Sequence, residues 1–282
     1  MLWLNGKFYP DDDATISVFD RGFLLGDGGF ETMRATSGKV SWLDKHLNRI
    51  LQSIEIIGGG FTDLPQKNAI ADIIARLCQG YESRHAVIRL TVSRGQGGQG
   101  LLPVKVHDGA VLITAKPFDL TIGSWPMTLA VSQKVRRNLW SVTAKIKSLN
   151  YLDNIIARQE AADNGAEDCL VLTQDGYVGE TTIGNIFALK NGKLHTAAND
   201  TGIFAGLSRS FIIDWAQRHL IDICYDPLTV EQLHTAQCVF VSNALRGVRP
   251  VACIGNRKLE TTQAGLELYK KIAADIENSL GR

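Results

Sequence analysis

Two lysines, Lys145 and Lys147, lie at a junction between two predicted elements. The run before them is typical of a strand that ends, and the run from Leu149 has the spacing of an amphipathic helix. A lysine buried at such a junction loses its charge and becomes a nucleophile toward aldehydes. On an extended strand both side chains point to the same face, so the spacing alone does not choose between them.

Other positions carry groups that can hold a ligand. Glu180 ends the second arm of a predicted hairpin, where a carboxylate among small residues can face a cavity. Arg49 shares a helix face with His46 and Ser53, and its guanidinium can clamp a phosphate. Gly206 precedes a helix whose first N–H groups form an anion site. Taken singly, each of these positions is more often an ordinary surface or structural residue.

The glycine-rich segment 93–100 is not a phosphate-binding P-loop, because it lacks the Gly-Lys-Ser/Thr ending. We interpret it as a mobile loop that carries Arg94. No histidine, cysteine and aspartate cluster has the spacing of metal ligands, and there is no Gly-x-Ser-x-Gly nucleophile elbow. The sequence therefore predicts no metal site.

The elements that must position these residues alternate between strands and helices, which favours an α+β or α/β fold. Asn-Gly and Asp-Gly pairs predict three hairpins, with turns at 5–6, 175–176 and 191–192. The apolar spacing predicts helices over 43–57, 67–79, 149–164, 207–219 and 262–280, and strands over 86–93, 110–115, 127–132 and 238–242.

A segment with two prolines and a glycine, 117–126, predicts a linker between two domains. The expected domains are a small N-terminal one over 1–116 and a large C-terminal one over 127–282. A chain of 282 residues with 45% apolar residues is long enough to form both cores.

The net charge of +1 gives no reason to expect a nucleic-acid partner or an anionic membrane surface. No apolar run approaches the roughly 20 residues of a membrane span, and the N-terminus does not have the pattern of a signal peptide. The five cysteines are scattered and odd in number, which favours reduced thiols in a cytoplasmic protein.

Several motifs, spaced in order along nearly the whole chain, resemble those of the fold-type IV pyridoxal-phosphate enzymes. This family includes branched-chain aminotransferases, D-amino-acid aminotransferases and aminodeoxychorismate lyases. The motifs lie at 20–22, 26–28, 30–34, 46–49, 146–150, 180, 185–187 and 206–209. The resemblance implies a two-domain fold with a smaller N-terminal α/β domain and a larger C-terminal cofactor-binding domain that has a barrel-like sheet. It also implies a homodimer that binds pyridoxal 5′-phosphate and acts on a small molecule.

The resemblance chooses between the two lysines. It implies that Lys147 bonds covalently to the cofactor and that Lys145 does not. It also implies that Glu180 pairs with the pyridinium nitrogen. The physical argument agrees, because an adjacent anion keeps this nitrogen protonated and a protonated ring is the better electron sink.

Further cofactor-binding roles are implied by the same resemblance. Arg49 matches the arginine that binds the phosphate, and Leu207 and Ser208 match the helix-start residues whose amides hold it. Asn243 and Ala244 complete the implied set. Alanine has no hydroxyl group, so only the backbone N–H of Ala244 can contribute there.

Three features are similar to the lyase branch, which eliminates pyruvate from 4-amino-4-deoxychorismate to give 4-aminobenzoate for folate biosynthesis. Thr32 stands where the lyases carry a threonine, and we expect it to be catalytic. The segment 93–100 is similar to the arginine-glycine loop of the lyases, although it lacks their second arginine and their tyrosine. The segment 242–251 is similar to their Asn-Ala-Leu segment.

The lyase substrate carries two carboxylates, so we expect arginines near it. Arg94 is the first choice, followed by Arg246 and Arg249, and Phe30 is expected to contact the substrate as well. The main alternative is an aminotransferase for branched-chain or D-amino acids, which shares the first proton transfer. A non-catalytic pyridoxal-phosphate-binding protein is a third alternative, against which the complete set of cofactor residues argues.

Overall fold

A computed structural model describes residues 1–97, 100–103, 109–121 and 126–281. Residues 98–99 of the glycine-rich segment and 122–125 of the expected linker lie outside the described residues. The chain divides into two compact units. The first contains residues 1–119, 146–150 and 281, and the second contains residues 120–145 and 151–280. The segment around Lys147 thus packs with the N-terminal part of the chain, although the sequence interpretation assigned it to the C-terminal domain.

The first unit is built on a six-stranded antiparallel sheet. Its strands are β1 (Leu2–Leu4), β2 (Lys7–Tyr9), β3 (Gly28–Thr36), β4 (Lys39–Val40), β5 (His85–Ser93) and β6 (Val111–Pro117), in the spatial order β2-β1-β6-β5-β3-β4. Its helices are α1 (Arg21–Leu25), α2 (Leu43–Ile56) and α3 (Lys67–Leu77).

Successive side chains of strand β3 point to opposite faces of the sheet, and the two faces make different contacts. Met33 and Ala35 belong to the core of the first unit, together with Leu47 and Ile50 of helix α2. Because successive residues of a strand point to opposite faces, Phe30 and Thr32 lie on the other side of the sheet. Helix α2 therefore covers one face of β3 and leaves its second face for other contacts.

In the part of the second unit that the structure describes, there are a nine-stranded sheet and four α-helices. The strands are β7 (Met127–Arg137), β8 (Asp168–Thr173), β9 (Val178–Thr181), β10 (Asn185–Lys190), β11 (Lys193–His195), β12 (Ile223–Cys224), β13 (Cys238–Asn243), β14 (Gly247–Ile254) and β15 (Arg257–Lys258). The helices are α4 (Leu152–Asp163), α5 (Leu207–Arg218), α6 (Val230–His234) and α7 (Gln263–Ser279).

Six of these strands close into a barrel. The order β10-β13-β14-β7-β8-β9 returns to β10 through one register pair, Glu180 opposite Asn185. The barrel encloses apolar side chains such as Leu170, Ile186 and Val241. This closed sheet confirms the barrel-like C-terminal sheet that the sequence implied.

The predicted hairpins and the long helices are confirmed, because local signals specify them. The hairpins β1–β2 and β10–β11 turn at Asn5-Gly6 and Asn191-Gly192, where every turn residue has a positive φ, as a type I′ turn requires. The helices predicted over 43–57, 67–79, 207–219 and 262–280 correspond to α2, α3, α5 and α7 within one or two residues.

The prediction around the lysine pair is wrong in two respects. The run before Lys147 is not the end of a strand, since β7 ends at Arg137 and a 3₁₀ turn occupies Thr143–Lys145. The following helix begins at Leu152 rather than at Leu149. The cause is a tertiary contact, because residues 146–150 run extended along the first unit and cannot be helical there.

Gly28 provides a test of how closely this extended segment packs. A Cβ atom at Gly28 would overlap the Val92 carbonyl oxygen and lie 2.7 Å from Cδ1 of Leu149. We expect Gly28→Ala to lower the free energy of unfolding by roughly 2–3 kcal/mol in denaturant titrations and to reduce retention of the bound cofactor. Gly176→Ala is the control, because it meets no atom within 4 Å and carries only the strain of its φ of +83°. It should lose roughly 1–2 kcal/mol and keep its cofactor. Equal cofactor retention in both variants would contradict the packing argument.

Candidate active site

The backbone around Lys147 is fixed to the free edge of strand β3. The carbonyl oxygen of Lys147 accepts a hydrogen bond of 2.8 Å from the Phe30 N–H. The Leu149 N–H donates to the Gly28 carbonyl at 3.0 Å, and Ser148 pairs with Gly29 as an isolated bridge. The lysine is therefore held by strand-like pairing, which fixes its position more tightly than a free loop would.

The side chain of Lys147 lies beside an aromatic ring. Its Nζ is 4.5 Å from the centre of the Phe30 ring, which is itself buried. Lys147 is half-buried, whereas Lys145 is exposed in the 3₁₀ turn. This difference in exposure favours Lys147 as the lysine with a specific partner, in agreement with the resemblance.

Thr32 and Arg89 share the sheet face on which Phe30 lies. Thr32 is two residues from Phe30 on β3, and Arg89 stands directly opposite Thr32 on β5. The Arg89 guanidinium stacks on the Phe30 ring at 3.9 Å. The Lys147 amine and the Arg89 guanidinium therefore lie against one aromatic ring, and Thr32 is on the same face of the sheet. The sequence interpretation missed Arg89, which strand alternation relative to Thr91 and Val87 could have identified.

The other face of β3 carries a buried ionic cluster that contains Arg49. The Arg49 Nε donates to Oε1 of Glu31 at 2.7 Å, and its NH2 group donates to Oε2 at 2.6 Å. Glu31 Oε2 is also 2.7 Å from Nδ1 of His46. One edge of the Arg49 guanidinium is thus committed to Glu31, and its role in phosphate binding stays a prediction.

Burial and hydrogen bonds together determine the charges of this cluster. Burial raises the pKa of Glu31, but the hydrogen bonds from Arg49 and His46 outweigh it and hold this pKa at about 2. Burial lowers the pKa of His46 below its ordinary value, although Glu31 opposes this shift. The imidazole is therefore neutral at pH 7, and the cluster is one ion pair supported by a neutral histidine.

In the second unit, Glu180 lies at the point where the barrel closes. Its carboxylate is buried, and its Oε1 is 2.8 Å from Nε of Arg137, an ion pair that is close but not aligned as a hydrogen bond. Asn185 donates its amide to Oε2 at 3.1 Å, and the Phe204 N–H donates to both oxygens at 3.2 Å. The carboxylate is thus fixed from three directions. Arg137 and Phe204 were not predicted from the sequence, because their contact with Glu180 depends on the closed barrel.

A β-bulge directs Glu180 to its side of the sheet. Strand β9 pairs Glu180 with Val171 and Val178 with Leu172, so Gly179 has no partner of its own. A Cβ at Gly179 would lie 2.6 Å from the Val171 carbonyl oxygen. The extra residue reverses the alternation, which turns Glu180 away from the barrel interior that contains Val178.

The start of helix α5 is joined to the same carboxylate. Asn185 accepts a hydrogen bond from the Gly206 N–H at 3.2 Å through Oδ1, while its amide contacts Glu180. Gly206 is the N-cap and has no side chain to satisfy the next amides, which include those of Leu207 and Ser208. The Ser208 hydroxyl is buried and has no hydrogen-bond partner among the described residues. A ligand that accepts hydrogen bonds suits this helix start.

Asn243 and Arg249, which were expected to contact the cofactor and the substrate, have different surroundings in the β13–β14 hairpin. Asn243 uses its Oδ1 to accept the N–H groups of Leu245 and Arg246, at 3.1 and 2.9 Å, so it shapes the turn that contains Ala244. Arg249 pairs with Val241, whose side chain belongs to the barrel interior.

The register therefore argues against a substrate contact by Arg249. It places Arg249 on the opposite face from Ser242 and Asn185, which are paired across β13 and β10. Its guanidinium also forms a bidentate ion pair with Glu167, with NH2 and Oε2 at 2.8 Å. Arg246 and Arg249 both line a cavity of about 190 Å³ together with Arg158.

Arg94 is not carried outward on a mobile loop, which corrects the expectation from the sequence. It is only 4% exposed, and its Nε donates to Asp27 at 2.8 Å. Its NH2 donates to the Ile57 carbonyl at 2.6 Å, and NH1 donates to the Gly59 carbonyl. These partners favour a structural role for Arg94, and its contact with substrate stays a prediction.

The comparisons with known proteins agree with this arrangement. The family model for class IV amino-transferases matches residues 28–254. The chain is 35% identical over 273 residues to a Methanocaldococcus jannaschii protein inferred to be a branched-chain-amino-acid aminotransferase, covering 96% of this chain and 93% of that protein. It is 30% identical over 290 residues to the aminodeoxychorismate lyase of Bacillus subtilis, covering 99% and 96%.

Solved structures have the same fold. An inferred 4-amino-4-deoxychorismate lyase from Legionella pneumophila superimposes with a TM-score of 0.84 at 26% identity, covering 95% of this chain and 97% of that one. The fold and the site define a pyridoxal-phosphate-dependent enzyme of fold type IV. Within that class, the chain belongs to the class IV aminotransferase family.

The residues that the structure describes fit pyridoxal phosphate. The buried Glu180 carboxylate suits a pyridinium N–H, and the unsatisfied Ser208 hydroxyl with the uncapped α5 amides suits a phosphate. In the first unit, the half-buried Lys147 is the lysine that would supply the amine. When bound, the cofactor supplies an electron sink for the substrate carbon that bears the amine. No group of three or more metal-ligating residues is found in the described ranges, and no helix there is long and apolar enough to span a membrane.

Replacement of each lysine tests the assignment of Lys147. We expect Lys147→Ala to lose the visible absorption of the covalently bound cofactor and nearly all activity, because no other amine takes its place. Lys145→Ala is the matched control, because this exposed side chain lies two residues away and should retain both signals. Survival of the colour in Lys147→Ala together with its loss in Lys145→Ala would reverse the assignment.

The cluster around Glu31 predicts an acid-dependent loss of stability. The pKa of Glu31 falls from its ordinary 4.5 to about 2 on folding, so its contribution is complete above pH 4.5 and is lost as the pH falls toward 2. This contribution is about 3 kcal/mol. We expect Glu31→Gln to be less stable than the wild type at pH 7, and the difference in unfolding free energy to shrink below pH 4.5. A difference that stays constant between pH 7 and pH 3 would contradict the ion pair.

Proposed function

We propose that the chain is a 4-amino-4-deoxychorismate lyase, which eliminates pyruvate to form 4-aminobenzoate in folate biosynthesis. The observation that carries this proposal is the position of Thr32. Its side chain shares the β3 face with Phe30, whose ring is 4.5 Å from the Lys147 amine. A hydroxyl group on the sheet face that Phe30 and Lys147 share suits an elimination, which needs a proton removed and a leaving group activated.

In the proposed reaction, Lys147 is the base. Its amine removes the proton from the substrate carbon that bears nitrogen. The bond to the pyruvate oxygen then breaks, and the substrate ring becomes aromatic. Thr32 orients the leaving group or passes a proton to it. Glu180 keeps the pyridine nitrogen of the cofactor protonated.

Arg89, a charged residue of the first unit, supports the proposal that the substrate carries carboxylates. Arg89 is exposed on the same sheet face as Thr32 and stacks on Phe30 at 3.9 Å. A guanidinium in this position can bind a carboxylate in two-point geometry. Arg89 therefore replaces Arg94 as our first choice for the substrate carboxylate, because Arg89 is exposed on this face whereas Arg94 is only 4% exposed and contacts Asp27 and two backbone carbonyls.

An aminotransferase is the second candidate, and one observation favours it. The 35% identity to the inferred branched-chain-amino-acid aminotransferase exceeds the 30% identity to the Bacillus subtilis lyase. Both reactions use Lys147 in the same first proton transfer. They differ in whether a proton is then added to the cofactor or a group leaves the substrate, and pocket shape decides between these outcomes.

We further propose that the enzyme is a cytoplasmic homodimer. Large apolar side chains cluster on the segment 16–25, where Val18, Phe19 and Phe23 are 64%, 69% and 67% exposed. An apolar cluster of this kind on one short segment is typical of a surface that a partner covers. A second copy of the chain is the partner that the family resemblance implies.

A product assay tests the lyase. The purified holoenzyme is incubated with 4-amino-4-deoxychorismate, and 4-aminobenzoate and pyruvate are measured together. We expect equimolar products, and a kcat for Thr32→Val that is lower by roughly 10²-fold, because valine keeps the shape but lacks the hydroxyl. Thr32→Ser is the matched control and should recover most of the rate.

Two results would go against the lyase. One is the absence of both products together with rapid half-transamination of branched-chain or D-amino acids, which would establish the aminotransferase. The other is a Thr32→Val variant with the kcat of the wild type, which would remove the argument from the hydroxyl group.

A further inference from the structure

A second cavity opens at one end of the barrel, and none of the residues assigned to the cofactor lines it. Its volume is about 380 Å³, which lies in the range of small-molecule sites. Its walls are apolar side chains of the barrel interior, including Val178, Ile186 and Leu228. The proposed reaction uses none of these residues, and the bulge at Gly179 turns Glu180 away from this side of the sheet.

The charged residues that line the cavity are mainly acidic. Asp175, Asp200 and Asp226 are exposed at its rim. Arg137 is the only lysine or arginine among the described lining residues, and its charge is paired with Glu180 at 2.8 Å. The cavity thus combines an apolar body with a rim of net negative charge, and this combination suits a cation that has an apolar part.

His195 gives the cavity a polar group in its wall. It pairs with Ala188 across the β10–β11 hairpin, so its ring points to the barrel side, where Ala188 packs. Its Nδ1 is buried and lacks a hydrogen-bond partner among the described residues. Burial lowers the pKa of His195, as do the charges of Lys190 and Lys193, while a hydrogen bond with the Lys190 backbone and the charge of Asp226 oppose this shift. A neutral imidazole with an unsatisfied nitrogen is suited to a ligand that brings a hydroxyl group.

The rim also contains an aromatic ring that can face a cation. Tyr177 follows the β8–β9 turn and is 40% exposed. An ammonium group over such a ring gains roughly 0.5–1 kcal/mol at an exposed site. Tyr225 lines the cavity too, but the Arg209 guanidinium already lies 5.8 Å from the centre of its ring. Tyr177 and the aspartates are therefore the stronger cation-binding groups.

Arg137 connects the cavity to the cofactor-binding side of the sheet. It lines the cavity, and it also contacts Glu180 at 2.8 Å and the Asn154 amide oxygen at 2.9 Å. A ligand that displaces the Arg137 side chain would change the field at the Glu180 carboxylate. Since Glu180 is the proposed partner of the pyridine nitrogen, such a change would alter the electronic state of the cofactor.

We propose that this cavity is a regulatory site for a small organic ammonium ion with an apolar or aromatic body, and that Arg137 transmits its occupancy to Glu180. The binding part of the proposal is independent of the reaction that the enzyme catalyses. The transmission part rests on the proposed pairing of Glu180 with the cofactor. A primary amine would react with the cofactor itself, so a tertiary amine is the appropriate probe.

The test titrates the holoenzyme with N,N-dimethyltyramine by calorimetry, while the visible absorption of the cofactor is recorded. We expect saturable binding with a Kd of roughly 0.1–1 mM, since the probe has about 12 heavy atoms. We also expect a shift in the visible band that saturates with the same Kd. The anion 3-(4-hydroxyphenyl)propanoate has the same ring and a similar length, and it should bind at least about 10-fold more weakly.

Variants locate the binding within the cavity. Asp226→Asn removes one rim charge, and His195→Phe removes the unsatisfied nitrogen and fills space. Each should weaken binding of the probe by roughly 5- to 10-fold and leave the turnover without probe unchanged. Asp12→Asn is the matched control, because it removes an exposed aspartate from the first unit and should not change the Kd.

Four results would overturn the proposal in whole or in part. Absence of saturable binding up to about 10-fold above the expected Kd would eliminate the site, as would equal binding of the anion or insensitivity to both cavity variants. Binding without a shift in the visible band would refute transmission through Arg137. Each of these results leaves the product assay untouched, so failure of this site is distinguishable from failure of the proposed lyase activity.

Discussion

The pairing of Glu180 with Asn185 is the constraint on which the second unit depends. This single register pair closes six strands into a barrel, and its two side chains also build the candidate cofactor site. A buried carboxylate costs several kcal/mol unless it is paired and hydrogen-bonded. Arg137, Asn185 and the Phe204 N–H offset that cost. The residues that close the barrel, Glu180 and Asn185, are thus also joined through their side chains.

A second ionic constraint organises the first unit. Glu31 and Arg49 form a buried pair across β3 and α2, with His46 as a neutral support. On its opposite face, β3 presents Phe30 and Thr32, and its free edge holds the backbone of Lys147. One strand therefore contacts both the core of the first unit and the backbone of Lys147. Besides burial, Lys147 also contributes to the lowered pKa of His46, so the lysine and the ionic cluster interact electrostatically.

The choice of reaction depends on few side chains. Proton removal by a lysine beside an electron-sink cofactor is common to lyases and aminotransferases. The step after proton removal depends on which groups surround the substrate, and Thr32 and Arg89 are on the sheet face of Phe30. Three other arginines are engaged elsewhere: Arg94 with Asp27, Arg249 with Glu167 and Arg137 with Glu180. These three guanidinium groups thus pair with carboxylates of the protein itself.

The sequence by itself determined the hairpins, the long helices, the two-unit plan and the identity of the cofactor. These depend on turn residues, apolar spacing and ordered motifs, all of which act over short stretches of chain. Only the tertiary structure decided that residues 146–150 are extended, that Arg94 and Arg249 are buried in ion pairs, and that Arg89 faces the same side as Thr32. The physical reason is that strand register and burial depend on partners that are far away in the chain. The charge of a side chain can be read from the sequence, but its interaction partner cannot.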